Sequence, residues 1–204
     1  MSPLRIALFL GASLLLLLLG VVAYAARVSS SAGALIRVAN EIHSTADAER
    51  EIAALRNRSG WSLWHEQSTA QGEQVYNIHV ENGLLHRVRL VPPAMVGMTL
   101  LLHDGKLRSI ILTMFSGRYP STTSGVWVQE WFAPDTASSF HVNDNGRPWK
   151  ATIDFSSTLP QAQRDKALSL NSKCLVRPGG CQSAEDILPG VWQLGEPTSG
   201  RVNP

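Results

Sequence analysis

Charge is missing from one long stretch of this sequence and is unremarkable elsewhere. Between Ile6 and Ala26 there is no Asp, Glu, Lys or Arg, and the only polar side-chain groups are Ser13 and the Tyr24 hydroxyl. A helix of a water-soluble fold carries one apolar stripe and an opposite polar face. The run Leu14 to Leu19 is six consecutive leucines with no polar face, which argues against that reading. Across the whole chain 18 basic and 16 acidic residues leave a formal charge of +2, and they are interspersed. That excludes the concentrated basic stripe of a nucleic-acid binder. Arg87, Arg89 and Arg108 are the nearest approach to a patch and read as a solvated sheet face.

Cysteine is scarce: Cys174 and Cys181 are the only two. None stands near the end of the apolar run, so lipid attachment through a thiol there is excluded. Two thiolates with no histidine close by do not complete a zinc shell, and their spacing is not the C-x-x-C of a redox pair. The intervening Arg177-Pro178-Gly179-Gly180 is turn chemistry, because proline presets φ and glycine accepts positive φ. The turn brings the sulfurs together, and a structural disulfide is the expectation in an oxidising compartment.

Catalytic signatures are absent as well. There is no P-loop, no G-x-G-x-x-G, no G-x-S-x-G and no S-x-x-K. His65-Glu66 opens like a zincin motif, but Thr69 stands where the second histidine is needed. No cofactor and no metal is implied.

What is present begins with the apolar run. At about 1.5 Å per residue, Ile6 to Ala26 crosses a hydrocarbon layer of roughly 30 Å as one helix that satisfies its own backbone. Its length favours an uncleaved transmembrane anchor, with Ile6, Leu14, Leu19 and Ala26 among its membrane-spanning residues, over a signal peptide whose apolar core is shorter. Ala23-Tyr24-Ala25 keeps cleavage before Ala26 open. Residues 1–5 form a cytoplasmic N-terminus under the positive-inside rule, and the remainder is expected to be extracytoplasmic.

After the span, residues 27–60 read as a juxtamembrane helical segment: a flexible exit at Arg27 to Gly33, an amphipathic helix carrying Leu35, Ile36, Val38, Ala39 and Ile42, then a second helix from Thr45 to Arg58. Ser44 and Asp47 form its capping box. Residues 61–194 read as one α+β domain with a mainly antiparallel sheet of about six or seven strands and flanking helices. Asn82-Gly83 signals a hairpin between Tyr76–Val80 and a return strand Leu84 to Val91. A second hairpin turns at Asp104-Gly105, pairing His103 with Lys106, Leu102 with Leu107 and Leu100 with Ser109. Its apolar residues on both faces suggest a strand pair covered on both sides. A third hairpin turns at Asp144 to Arg147. Thr158 caps a helix reaching Leu170, and residues 195–204 form a disordered tail.

Three functional readings stay open. The leading one is a membrane-anchored, non-catalytic binding module of the cell envelope, with the lipid bilayer and an envelope protein as partners and no nucleic acid. The second is an envelope hydrolase using Asp154, Glu130 or a histidine, since a buried carboxylate in a cleft is a candidate acid or base. His79 and His86 would share a metal only in the hairpin register that mixes polar and apolar faces. Glu130 and Asp154 read more simply as partners of an arginine on the neighbouring strand. The third is a carrier of an apolar ligand held between sheet and helices. Trp127, Trp131 and Trp149 either pack the sheet or line a groove.

Overall fold

The structure is a computed structural model and describes residues 3–55, 62–68, 72–117, 124–132, 139–143 and 150–190. The expected tail, the end of the second helix near Arg58, the turn at Asp144 to Arg147, and Trp149 lie outside those residues.

Helix α1 runs unbroken from Pro3 to Glu41, 39 residues. The flexible exit expected at Arg27 to Gly33 is therefore a correction. Val28, Ala32, Leu35, Ile36, Val38 and Ala39 recur every three or four residues and are all buried. Packing of this stripe on the sheet overrides the weak helix preference of Ser29-Ser30-Ser31 and Gly33. Helix α2 spans Thr45–Leu55. The Ser44 hydroxyl accepts from the Asp47 N–H at 3.2 Å and donates to the Asp47 carboxylate at 2.7 Å. That arrangement caps the helix start.

The strands are β1 (Ser62–Ser68), β2 (Glu73–Glu81), β3 (Ala94–His103), β4 (Lys106–Ser116), β5 (Ser124–Trp131), β6 (Ser139–Asn143) and β7 (Lys150–Ser156). They pair in the order β1-β2-β3-β4-β5-β7-β6. The fold is α+β, but the sheet is mixed rather than antiparallel throughout, because β5 and β7 run parallel. Of the β6–β7 hairpin, β7 brings the buried Ala151, Ile153 and Phe155. β7 takes the inner position, and its direction there makes its pairing with β5 parallel and with β6 antiparallel.

Two local expectations fail for identifiable reasons. The return strand Leu84 to Val91 does not exist, since β2 pairs directly with β3 and Glu81 faces Met95. Gly83–Arg87 is a short helix, α3. Asn82 is not an exposed turn residue. It is 2% exposed, donates to the Pro92 and Leu175 carbonyls at 2.8 Å each, and accepts from the Ala94 N–H at 3.0 Å.

The β3–β4 hairpin turns where expected, with Asp104 (φ 48°) and Gly105 (φ 71°) at its tip. A bulge between Leu101 and Leu102 then shifts the register, so Leu101 faces Ser109 and Leu100 faces Ile110. The extra residue puts Ile110 and Leu112 on the same buried face as Leu100 and Leu102, all at 2% exposure or less. One face of the sheet is thus packed under α1. The other face, carrying Leu101, Ile111 and Trp127, is only half-buried. Among the described residues, coverage of both faces is a further correction.

Helix α4 is Gln161–Ala167, starting after Pro160. It ends short of the expected Leu170 because Leu168 and Leu170, spaced by two, both turn into the core. Thr158 does not cap it and instead bonds the Ser156 hydroxyl. A 3-10 turn at Ser172–Leu175 and helix α5 (Ala184–Ile187) close the described chain.

The sheet has two ends relative to α1. At the near end, where the packed half of α1 begins, Ser29 meets Ser172 (Oγ–Oγ 3.4 Å), and Leu175 holds Asn82. At the far end, where α1 stops, the Leu107 N–H donates to Thr45 Oγ1 at 2.7 Å.

Candidate functional site

The most heavily built polar feature lies at the far end. Glu130 on β5 is 1% exposed and Arg164 on α4 is 2% exposed. Arg164 Nε donates to Glu130 Oε1 and Nη2 to Oε2, both at 2.7 Å, a bidentate pair. The same guanidinium donates to the carbonyls of Ala39 (3.2 Å) and Ile42 (3.0 Å), and to the Asn40 carbonyl and side-chain oxygen. These are the carbonyls that a helix end leaves without partners, at its negative pole. One buried cation therefore closes the end of α1 and fastens it to the sheet. Asn40 extends the contact by donating to Asp165 at 3.1 Å.

Glu130 was a candidate acid or base by sequence. Both its oxygens are held by Arg164, which makes it a fastener. Its partner comes from α4 rather than from the neighbouring strand. Asp154 lies on the opposite face of the sheet, in register with Gln129 while Glu130 is in register with Phe155. Side chains alternate along strands, so the two carboxylates cannot share a site. His79 and His86 stand on β2 and α3 rather than across a hairpin. His79 Nε2 lies 3.5 Å from Glu81, and His103 Nε2 lies 3.5 Å from Asp104. Among the described residues, no group of three or more metal-ligating side chains comes together.

The half-buried sheet face gathers aromatic and apolar side chains. Phe115 meets Trp127 edge-on, with ring centroids 4.6 Å apart and planes at 76°. Gly125 makes that possible: a Cβ there would lie 2.5 Å from Phe115 Cδ1 and 2.9 Å from the Met114 carbonyl. Lys150 Nζ sits 5.8 Å from the Trp127 ring centroid. Trp131 is half-buried two pleats further along β5. Thr99 donates to Asn77 at 2.6 Å and Gln129 to Ser109 at 3.3 Å, giving the face a polar centre. Such a surface suits contact with a flat partner, since tryptophan couples a large apolar area with an N–H donor.

At the near end, Cys174 and Cys181 form a disulfide with Cα atoms 5.3 Å apart. Gly179 and Gly180 take φ of 79° and 70° to turn the loop, as the Pro-Gly-Gly sequence implied. Asp186 ties the loop shut by accepting from the Gln182 N–H and from Arg177 Nη1, each at 2.8 Å. The Gln182 N–H, and then Arg177, hold its carboxyl below the usual carboxylate range.

Ile6, Leu14 and Leu19 are 48%, 60% and 56% exposed along α1, and Ala26 is exposed at the end of the run. This helix is long and apolar enough to cross a membrane. Sequence reasoning missed Arg164 altogether and took Asn82 for a turn residue. Arg164 sits among polar neighbours that look like an exposed helix, and Asn82 precedes a glycine that suggests a turn. No protein family, no curated protein and no solved structure matches the chain.

Proposed function

We propose that the chain is a single-pass membrane protein whose α+β domain stands on the extracytoplasmic side and acts as a non-catalytic binding module of the envelope. The observation that carries this reading is the continuity of α1. Its leucine-rich half is exposed among the described residues, and its second half contributes Val28, Ala32, Leu35, Ile36, Val38 and Ala39 to the domain core. The disulfide supports an oxidising compartment. The best candidate carboxylate is occupied by Arg164, and Asp154 lies on the other face, so the geometry gives the hydrolase reading no shared site. The binding surface is the half-buried sheet face around Trp127 and Trp131.

A photo-crosslinking residue in place of Gln129 tests it in native membranes. One discrete neighbour, captured less when Trp127→Ala is combined with it, is the expected result. Background labelling alone would count against the reading.

A second reading draws on the same continuity. A module that only needs tethering gains nothing from a rigid connection, whereas an unbroken helix fixes the domain's orientation relative to the span. That suits copies whose bare helices pack side by side. Cysteines at Leu15 and Leu18 that crosslink between copies would favour this assembly; monomeric behaviour at all densities would remove it.

A further inference from the structure

Among the described residues beyond Val22, the large apolar side chains that stand exposed are Leu84 (48%), Val88 (51%) and Leu90 (49%). They cluster in seven residues, on α3 and the turn after it. Leu84 and Val88 are one helical turn apart and so neighbours on α3, and both stand exposed while Leu85 is buried. Arg87 and Arg89 are exposed between them.

This segment is not a loose loop. Leu85 (2% exposed) and Val91 (7%) root it in the domain, and Asn82 holds its base through three hydrogen bonds. Its chain reverses through Arg89 at φ 60°, a left-handed conformation uncommon outside glycine. The Arg89 and Leu90 N–H groups donate to the His86 and Leu85 carbonyls at 2.9 and 3.0 Å. The fold thus spends ordered backbone on presenting three apolar side chains outward.

Its position gives them an occupant. Asn82 bonds Leu175, whose 3-10 turn meets α1 at Ser29, and Gly180 of the disulfide loop abuts Pro92. The segment therefore lies at the near end, beside the place where the packed half of α1 gives way to its bare apolar half. We propose that residues 83–90 are a second membrane contact, seated in the interface of the bilayer that α1 crosses. Leu84, Val88 and Leu90 reach the acyl boundary, and Arg87 and Arg89 meet anionic lipid phosphates. Apolar anchors flanked by arginine fit the interface of an anionic leaflet. The nearby acid Glu81 is turned towards His79 at 3.5 Å, and Asp186 is held by Arg177 at 2.8 Å. Because α1 is unbroken, a second contact would set the tilt of helix and domain together against the bilayer. The proposal rests on the anchor reading of α1.

The test uses the full-length, disulfide-intact protein in phosphatidylcholine vesicles with and without phosphatidylglycerol. Nitroxide labels go on Val88→Cys, Leu16→Cys and, at the far hairpin, Asp104→Cys. Relaxation by oxygen and by a water-soluble nickel complex reports depth. Expected are Leu16 and Val88 labels favouring oxygen and an Asp104 label favouring nickel. The Val88 label should move outward without the anionic lipid or in the Arg87→Ser, Arg89→Ser background. A Val88 label as open to nickel as that at Asp104, with Leu16 still in lipid, overturns the second contact and leaves the anchor standing. A Leu16 label in water overturns both. Equal Val88 depth with and without phosphatidylglycerol overturns the role of the arginines.

Discussion

The two halves of α1 share one backbone geometry and differ in what surrounds them. Residues 3–20 are all exposed, although they include the six-leucine run; residues 28–39 contribute six buried side chains, two of them alanine. The more apolar half stands exposed among the described residues, and the half interrupted by serines and a glycine joins the core. Hydropathy alone therefore does not say where a helix packs. Leucine all round suits a medium that is apolar on every side, while Ala32 and Ala39, both 0% exposed, let the second half lie close on the sheet.

The comparison breaks first at the far-end fastener. Arg164→Ala would leave Glu130 buried without its counter-charge and uncap α1, with an expected loss of about 3–5 kcal/mol of domain stability. Chemical unfolding in micelles, followed by tryptophan fluorescence, measures it. Replacing both partners by methionine should recover the part that comes from the unpaired Glu130 charge, and not the part that comes from the α1 carbonyls Arg164 had capped. A single-variant cost below about 1 kcal/mol would mean that packing alone holds the helix end.

Matched truncations sharpen the contrast between the halves. Leu35→Ala should cost about 2–5 kcal/mol, because Leu35 is fully buried between helix and sheet. Leu15→Ala, at a position 58% exposed, should leave domain unfolding unchanged. Equal effects in the same micelles would show that the bare half contributes to the fold after all.

Much of this was legible, in proportion to how local each signal is. The apolar span, the Asp104-Gly105 hairpin, the Ser44 cap and the cysteine turn each depend on a few adjacent residues, and each sits where the sequence placed it. The failures depend on distant partners. Asn82-Gly83 has hairpin chemistry, yet the Leu175 carbonyl, supplied 93 residues later, recruits the asparagine inward. Ser29 to Gly33 looks like a linker until the sheet arrives to bury Val28 and Ala32. The β3–β4 bulge left no mark that pairing rules could read, and without it Ile110 and Leu112 would fall on the wrong face. Of the candidate site, the buried carboxylate was foreseeable from Glu130's place between tryptophans, but nothing near Arg164 announces burial.

The near end should be held less strongly than the far end. Removing the disulfide by Cys174→Ser with Cys181→Ser should cost about 2–3 kcal/mol, for a cross-link spanning seven positions in sequence. The loss should concentrate there: hydrogen exchange should quicken in residues 172–187 and at Asn82, and stay unchanged at Arg164. Uniform acceleration would mean that the two ends unfold as one unit.

The smallest effect separates the loop's ionic tie from its covalent one. Asp186 has its carboxyl held below the ordinary range by the Gln182 N–H and by Arg177. A group depressed on folding stabilises the native state fully above its unfolded pKa and loses that contribution as pH falls through the folded value. Wild type should therefore exceed Asp186→Asn by about 1 kcal/mol or less near neutral pH, given that Arg177 is 52% exposed. The gap should close only below the ordinary carboxylate range. Unfolding curves at a series of pH values, with the disulfide intact, read this directly. A gap that persists at the acid limit would mean that the charge of the Asp186 carboxylate is not what holds the loop.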